Sequence, residues 1–405
     1  MTKHALLCLL LLLPTVAHAK DPEKTFAGTW DTTFGPMTLE QKDSTVTGYY
    51  IFQGAKAKIE GKVEKKKLTF TYEEPGGVKG EGWFELADDG QSFAGKWREA
   101  DGPWQNWEGK RAQAAKLPTG YAGLWETSFG RLRLVQTDKK VEGIYSYSSV
   151  SSLAGTVEGK KLTFTYKEPR DEGEGSFELS DDGQSFQGKW RVKGGETWEE
   201  WKGRRVYPKP GVIWLVVIEA NWESNLAEQE YSFGAMLRAF FARSANVQVR
   251  HRFFSDEAGL KKWCREAAFL AEPVVVSLAT HGSPAGASVD GKNVDGAALA
   301  DAFRYASNIK LLHFSACEMM KDRLAAEMVK SLKKNARFPI SGYTTAVDWA
   351  GSAILEFTYY DMILCRGMTP SHAADQVRKL IAFAGDKNVP GAAIPAAGFK
   401  LMMPD

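Results

Sequence analysis

The chain has 405 residues, 43% hydrophobic and 25% charged, enough for two or three globular domains with packed cores. Its formal net charge is only +2. That balance excludes a disordered chain, and no basic stripe is dense enough to suggest nucleic acid as a partner; Lys65-Lys66-Lys67 reads as a solvated turn.

The chain opens with a processing segment. Lys3 and His4 precede an unbroken apolar run over residues 5–13, and Ala17-His18-Ala19 has the small-x-small pattern of a signal-peptidase site. The apolar run is too short to span a bilayer. Residues 1–19 therefore read as a cleaved signal, which predicts a secreted or periplasmic protein without a transmembrane anchor. Cys8 leaves with that segment. Cys264, Cys317 and Cys365 remain, so at most one disulfide can form and at least one thiol stays free.

A tandem duplication follows. "FAGTWDTTFG" at Phe26 returns as "YAGLWETSFG" at Tyr121, and "DDGQSFAGKW" ending at Trp97 returns as "DDGQSFQGKW" ending at Trp190. Within each copy the grammar is β. Leu68, Phe70 and Tyr72 alternate with Thr69 and Thr71, and turn signals such as Gly76-Gly77 recur about every ten residues. About eight short strands per copy predict two small closed antiparallel barrels, over 24–112 and 119–205. The Gly28-Thr29-Trp30 opening resembles lipocalin-like and avidin-like barrels. No biotin-holding polar set is identifiable, so that ligand is not carried over.

The two copies hold nine of the 13 tryptophans. Most read as core and barrel-end packing, with a carbohydrate or peptide platform as the functional alternative. Trp83 is the outlier, because its counterpart is Ser176 while the neighbouring Phe84 is matched by Phe177. A Trp-to-Ser difference is poorly tolerated in a core, so Trp83 is expected to face outward.

A Pro-rich linker, 206–211, ends the repeats, and alternating β and α patterns fill 212–405. The apolar run over 212–220 reads as a buried parallel strand. Helices are expected at 225–243, 256–270, 296–306, 319–334, 350–364 and 370–384. Strands are expected near 246–253, 273–280, 309–316 and 338–343. This is the pattern of a doubly wound, mostly parallel sheet with sites at the carboxyl ends of its strands.

Two of those strands end in reactive groups. "PVVVSLAT" runs into His281-Gly282, and "IKLLHFSA" runs into Cys317. The 36 residues between them suffice for one crossover helix, so the two ends should be neighbours. An imidazole beside a thiol can generate the thiolate and protonate a leaving amine. The N–H groups of Gly282 and Cys317 can face a developing oxyanion. His313, Cys264 and Cys365 read as structural. No metal-ligand spacing and no phosphate loop is present, so neither metal nor cofactor is expected.

With "VVVSLATHGSPAG" and "KLLHFSACEMM", residues 212–385 resemble the caspase-like cysteine peptidases, which include caspases, legumains and CHAT proteins. The resemblance implies a caspase-like α/β domain, Cys317 as nucleophile, His281 as general acid/base, and a protein or peptide as substrate. It further implies that the segment from Tyr343 to Asp348 lines the primary pocket, where Asp348 would attract a basic side chain. Glu318 and Glu219 are rival acidic groups for that role. Many members carry Gly shortly after the Cys, whereas this chain has Glu318-Met319-Met320. That departure supports an alternative: a catalytically inactive caspase-like fold serving as an envelope or extracellular binding protein, with a glycan or peptide ligand on its Trp-rich barrels.

Overall fold

The computed structural model describes residues 25–52, 55–112, 120–209, 211–223, 225–332, 336–384 and 398–404. The expected leader over 1–19 lies outside them, as does Pro210 of the linker.

Each copy of the duplication is a closed eight-stranded antiparallel barrel. The first runs from β1 (Gly28–Thr32) to β8 (Gln105–Arg111) and closes by pairing these two strands, with Trp30 opposite Arg111. The second runs from β9 (Gly123–Thr127) to β16 (Glu199–Val206) and closes with Arg205 opposite Trp125. The period-two alternation sets the interior: Leu68, Phe70 and Tyr72 are all buried. The closing Trp and Arg are tied together identically in the two copies. The Trp30 indole donates to Phe26 O and the Trp125 indole to Tyr121 O, while the Arg111 and Arg205 guanidiniums lie over those rings at 4.3 and 4.1 Å. Trp83 turns outward between the inward-facing Gly82 and Phe84, as expected, but is half-buried beneath Lys67.

After the barrels, six strands form one mostly parallel sheet. In chain order these are β17 (Ile213–Ala220), β18 (Val247–Phe254), β19 (Val274–Ala279), β23 (Ile309–Ser315), β24 (Ile340–Tyr343) and β25 (Phe399–Met402). Their spatial order is β18-β17-β19-β23-β24-β25; the first five are parallel and β25 is antiparallel. Three short strands, β20 (Gly282–Ser283), β21 (Gly286–Val289) and β22 (Lys292–Val294), form a separate small sheet after β19. Helices α2 (Glu257–Glu266), α3 (Gly296–Ala302) and α4 (Leu324–Ser331) bury one face of the large sheet. Helices α1 (Phe233–Phe240), α5 (Trp349–Leu364) and α6 (Pro370–Ala384) cover the other. Among the described residues no helix is long and apolar enough to cross a membrane.

Two expected helices begin several residues later than their sequence patterns, and α3 ends at Ala302, short of the expected 306. The described residues of 225–232 are not helical, and α1 begins only after Ser232, whose hydroxyl accepts from Ala235 N. The stretch 319–323 is a turn, because Glu318 is left-handed (φ +56°) and so is Asp322 (φ +49°). The small sheet and β25 were not expected at all.

Both barrels dock at the amino ends of the parallel strands. Arg133, 7% exposed, donates to Ala268 O and Leu270 O, and Arg131 donates to Phe269 O, just before β19 begins. The first barrel meets the turn between α5 and α6, where a methyl group on Gly367 would lie 2.6 Å from the Gly35 Cα. α5 is 16 residues long and starts near the opposite edge of the sheet, so this contact lies about 24 Å from its start.

Candidate functional site

The parallel register brings the two expected reactive residues to neighbouring positions. Ala279 pairs with Ser315 as the last residues of β19 and β23, and Thr280 N donates to Ser315 O. His281 and Cys317 each lie two residues beyond that pair, on chains that run about 5 Å apart within the sheet. Gly282 seals the junction: a methyl group there would come within 2.5 Å of Cys317 O and 3.0 Å of Ala316 Cβ. Only glycine lets the chain after His281 cross the Cys317 backbone this closely.

Cys317 is half-buried and free, and its thiol points toward Val347 O at 3.8 Å. His281 is exposed, and its ring meets the edge of Trp222 at 5.1 Å between centroids. After Cys317 the chain turns sharply, because Glu318 adopts the left-handed conformation that glycine favours. The missing Gly therefore does not remove the turn. Glu318 N donates to Thr345 O, Met320 N donates to Tyr343 O, and the Glu318 carboxylate pairs with Lys321 at 2.8 Å.

The three acidic candidates have different surroundings. Asp348 is exposed, one residue beyond Val347, and caps α5 by accepting from Gly351 N at 2.8 Å. Beside it, Trp349 is 45% and Tyr231 is 49% exposed, with ring centroids 6.2 Å apart. Glu219 is fully buried. Its carboxylate pairs with His251 at 2.7 Å and accepts from Trp222, Ser232, Phe233 N and Gly234 N. Burial alone would raise its pKa, but the bonds from His251, Trp222 and the two backbone N–H groups outweigh that and hold it below the usual carboxylate range. Glu219 thus starts α1 and fixes Trp222 against His281, and no part of it is free to line a pocket.

The structural residues behave as read. His313 is buried below the site, with Nδ1 2.8 Å from Ser341 Oγ and Nε2 3.2 Å from Glu356. Cys264 is buried on α2, and burial pushes its thiol pKa up. Cys365 is the C-cap of α5, near Ser244. Among the described residues no group of three or more His, Cys, Asp or Glu could hold a metal. Trp222 escaped sequence reasoning; its signal was only its position three residues after Glu219, just past the end of β17.

No protein-family model and no curated protein matches the chain. Among solved structures, it is similar to the Myxococcus xanthus hemagglutinin in complex with α3,α6-mannopentaose, at 12% identity over 41% of this chain and 86% of that one, with a TM-score of 0.12. The Burkholderia oklahomensis agglutinin is similar at 14% identity, over 41% of this chain and 81% of that one, with a TM-score of 0.12. A bifunctional GH43-CE from Bacteroides eggerthii aligns over 90% of this chain and 81% of its own, at 9% identity and a TM-score of 0.16. At scores this low no residue role and no ligand transfers to this chain.

Proposed function

We propose that the α/β domain is a caspase-like thiol peptidase with Cys317 as nucleophile and His281 as general acid/base. The observation that carries this reading is the register of β19 and β23, which sets His281 and Cys317 at equivalent positions past adjacent parallel strand ends. In the proposed reaction His281 takes the thiol proton and the sulfur attacks the scissile carbonyl carbon. The N–H groups of Gly282 and Cys317 meet the oxyanion. His281 then gives its proton to the leaving amine, and water hydrolyses the thioester. Cys317→Ala and His281→Ala should each abolish peptide cleavage and labelling by thiol-reactive peptide probes. Full cleavage by Cys317→Ala would sink the proposal.

A second reading concerns the barrels as binding modules, and it becomes the whole function if Cys317 proves inert. It is favoured by the mouths of the barrels, where aromatic-lined cavities of about 370 and 130 Å³ recur at matching positions. Glycan and peptide arrays probed with the full chain test it; an absence of any binding counts against it. The agglutinin likenesses add no weight at their TM-scores of 0.12.

A further inference from the structure

The cavities at the two barrel mouths are built from identical residues at six corresponding positions. In the first barrel Phe34, Tyr50, Tyr72, Trp97 and Trp107 surround the slot and Glu74 stands at its side. In the second these are Phe129, Tyr145, Tyr166, Trp190, Trp201 and Glu168. The ring geometry repeats as well. Phe34 meets Trp107 at 5.3 Å and Tyr50 meets it at 4.9 Å; Phe129 and Tyr145 meet Trp201 at 5.2 and 5.1 Å. Each carboxylate is held by one tyrosine: Tyr50 donates to Glu74 at 2.7 Å and Tyr145 to Glu168 at 2.5 Å.

The first slot is larger and carries a second acid. Glu99 joins Glu74 in its lining, and Val192 occupies the corresponding place in the second repeat. Among the described residues neither Glu74 nor Glu99 is in an ion pair. Met362, Arg366, Met368 and His372, from α5 and its passage into α6, close the slot from above. The one guanidinium among them is already engaged, since Arg366 is bound to Asp361 at 2.8 Å.

An aromatic slot lined by two carboxylates outside any ion pair is a good place for a positive charge. The ring faces attract cations, and the attraction grows when the site is desolvated. Burial raises the Glu74 pKa, the Tyr50 hydrogen bond opposes this, and Glu99 adds to the rise. A bound cation would relieve that repulsion. A neutral sugar fits less well. It would need a broad exposed ring face, whereas Tyr50, Tyr72 and Trp107 are almost fully buried.

We propose that the mouth of the first barrel binds a small organic cation, an ammonium or quaternary ammonium group, seated against the half-buried rings of Phe34 and Trp97 with Glu74 and Glu99 as counter-charges. This rests on the reading of the barrels as binding modules and names the ligand class.

Titration of the full chain with choline, followed by tryptophan fluorescence and calorimetry, tests it. Choline is expected to bind saturably, and 3,3-dimethylbutan-1-ol, its uncharged isostere, about tenfold more weakly. Glu74→Gln is expected to weaken choline binding by a similar factor. Glu99→Gln, an exposed rim change, repeats the test should Glu74→Gln fail to fold. Equal binding of choline and the alcohol would overturn the proposal by revealing an apolar slot. Binding of mannose but not choline would overturn it while leaving the barrels as binding modules. No binding of any of the three would overturn it outright.

Discussion

The backbone of Gly282 lies against the carbonyl of Cys317 so closely that one added methyl group would sit 2.5 Å from that oxygen. The alanine side chain is thus excluded by backbone, which cannot swing aside as a flexible side chain can. Gly282→Ala should push the chain after His281 away from Cys317. Misplacement by about 1 Å in a catalytic constellation lowers rates by about a hundredfold. Labelling of Cys317 by a peptide probe is therefore expected to slow by that order, while far-UV circular dichroism stays unchanged. Unaltered labelling would remove Gly282 from the site.

Glu219 joins the fold to the site, because one carboxylate holds His251, the start of α1 and the Trp222 indole that touches His281. Its folded pKa lies below the unfolded value of about 4.3, so the unfolded chain takes up the proton first as pH falls. The stabilisation is complete above that unfolded value and is lost as pH drops through the lower folded one. Glu219→Gln should remove this part of the acid limb of the stability curve. It should also destabilise at neutral pH, since one amide oxygen cannot accept every bond the carboxylate takes from Trp222, Ser232 and the two backbone N–H groups, and each lost bond to a charged group costs about 1.5–3 kcal/mol. Thermal melts of both proteins between acid and neutral pH measure both effects; parallel curves would show that Glu219 does not titrate with folding.

The barrels were legible because duplication doubled every signal. Leu68, Phe70 and Tyr72 carry a clean period of two, and their counterparts Leu162, Phe164 and Tyr166 repeat it. The sheet strands were legible from their apolar runs, and His281 and Cys317 from the places where those runs stop. The start of α1 was only partly legible: its cap, Ser232, is local, but the carboxylate that accepts from its first two N–H groups, Glu219, is distant in the chain. The small sheet was missed because its strands have two to four residues, too few to show alternation. β25 escaped because its partner β24 lies far back in the chain. The role of Asp348 as a cap is local, yet a carboxylate before an apolar run reads equally well as a pocket charge.

Arg133 ties the second barrel to the sheet domain. Its guanidinium is buried and donates to Ala268 O and Leu270 O, and burial, reinforced by nearby Arg131, pushes its pKa down to about 10. A charged hydrogen bond contributes about 1.5–3 kcal/mol, so Arg133→Ala should loosen this junction by an amount of that order. Calorimetry is expected to show one unfolding transition splitting into two. The docking edge is remote from Cys317, so Arg133→Ala and Trp83→Ala should both leave probe labelling unchanged. A slowed labelling rate in either would mean that the barrels reach the thiol.

Asp348 can act through its charge, its cap, or both, and the two roles separate by substitution. Serine caps a helix nearly as well as aspartate but carries no charge, whereas alanine does neither. Asp348→Ala should destabilise the protein by about 1 kcal/mol and Asp348→Ser by little. If the charge selects basic side chains beside Cys317, both variants lose preference for Lys and Arg in a peptide library profile. If Asp348 is only a cap, both keep the wild-type profile and only Asp348→Ala melts earlier. Trp349 and Tyr231 extend the same edge with exposed rings. Trp349→Ala should therefore raise KM for peptides with apolar residues and leave kcat nearly unchanged, because it removes contact area rather than a reacting group. A fall in kcat with constant KM would instead show that Trp349 positions Val347 and the thiol it faces.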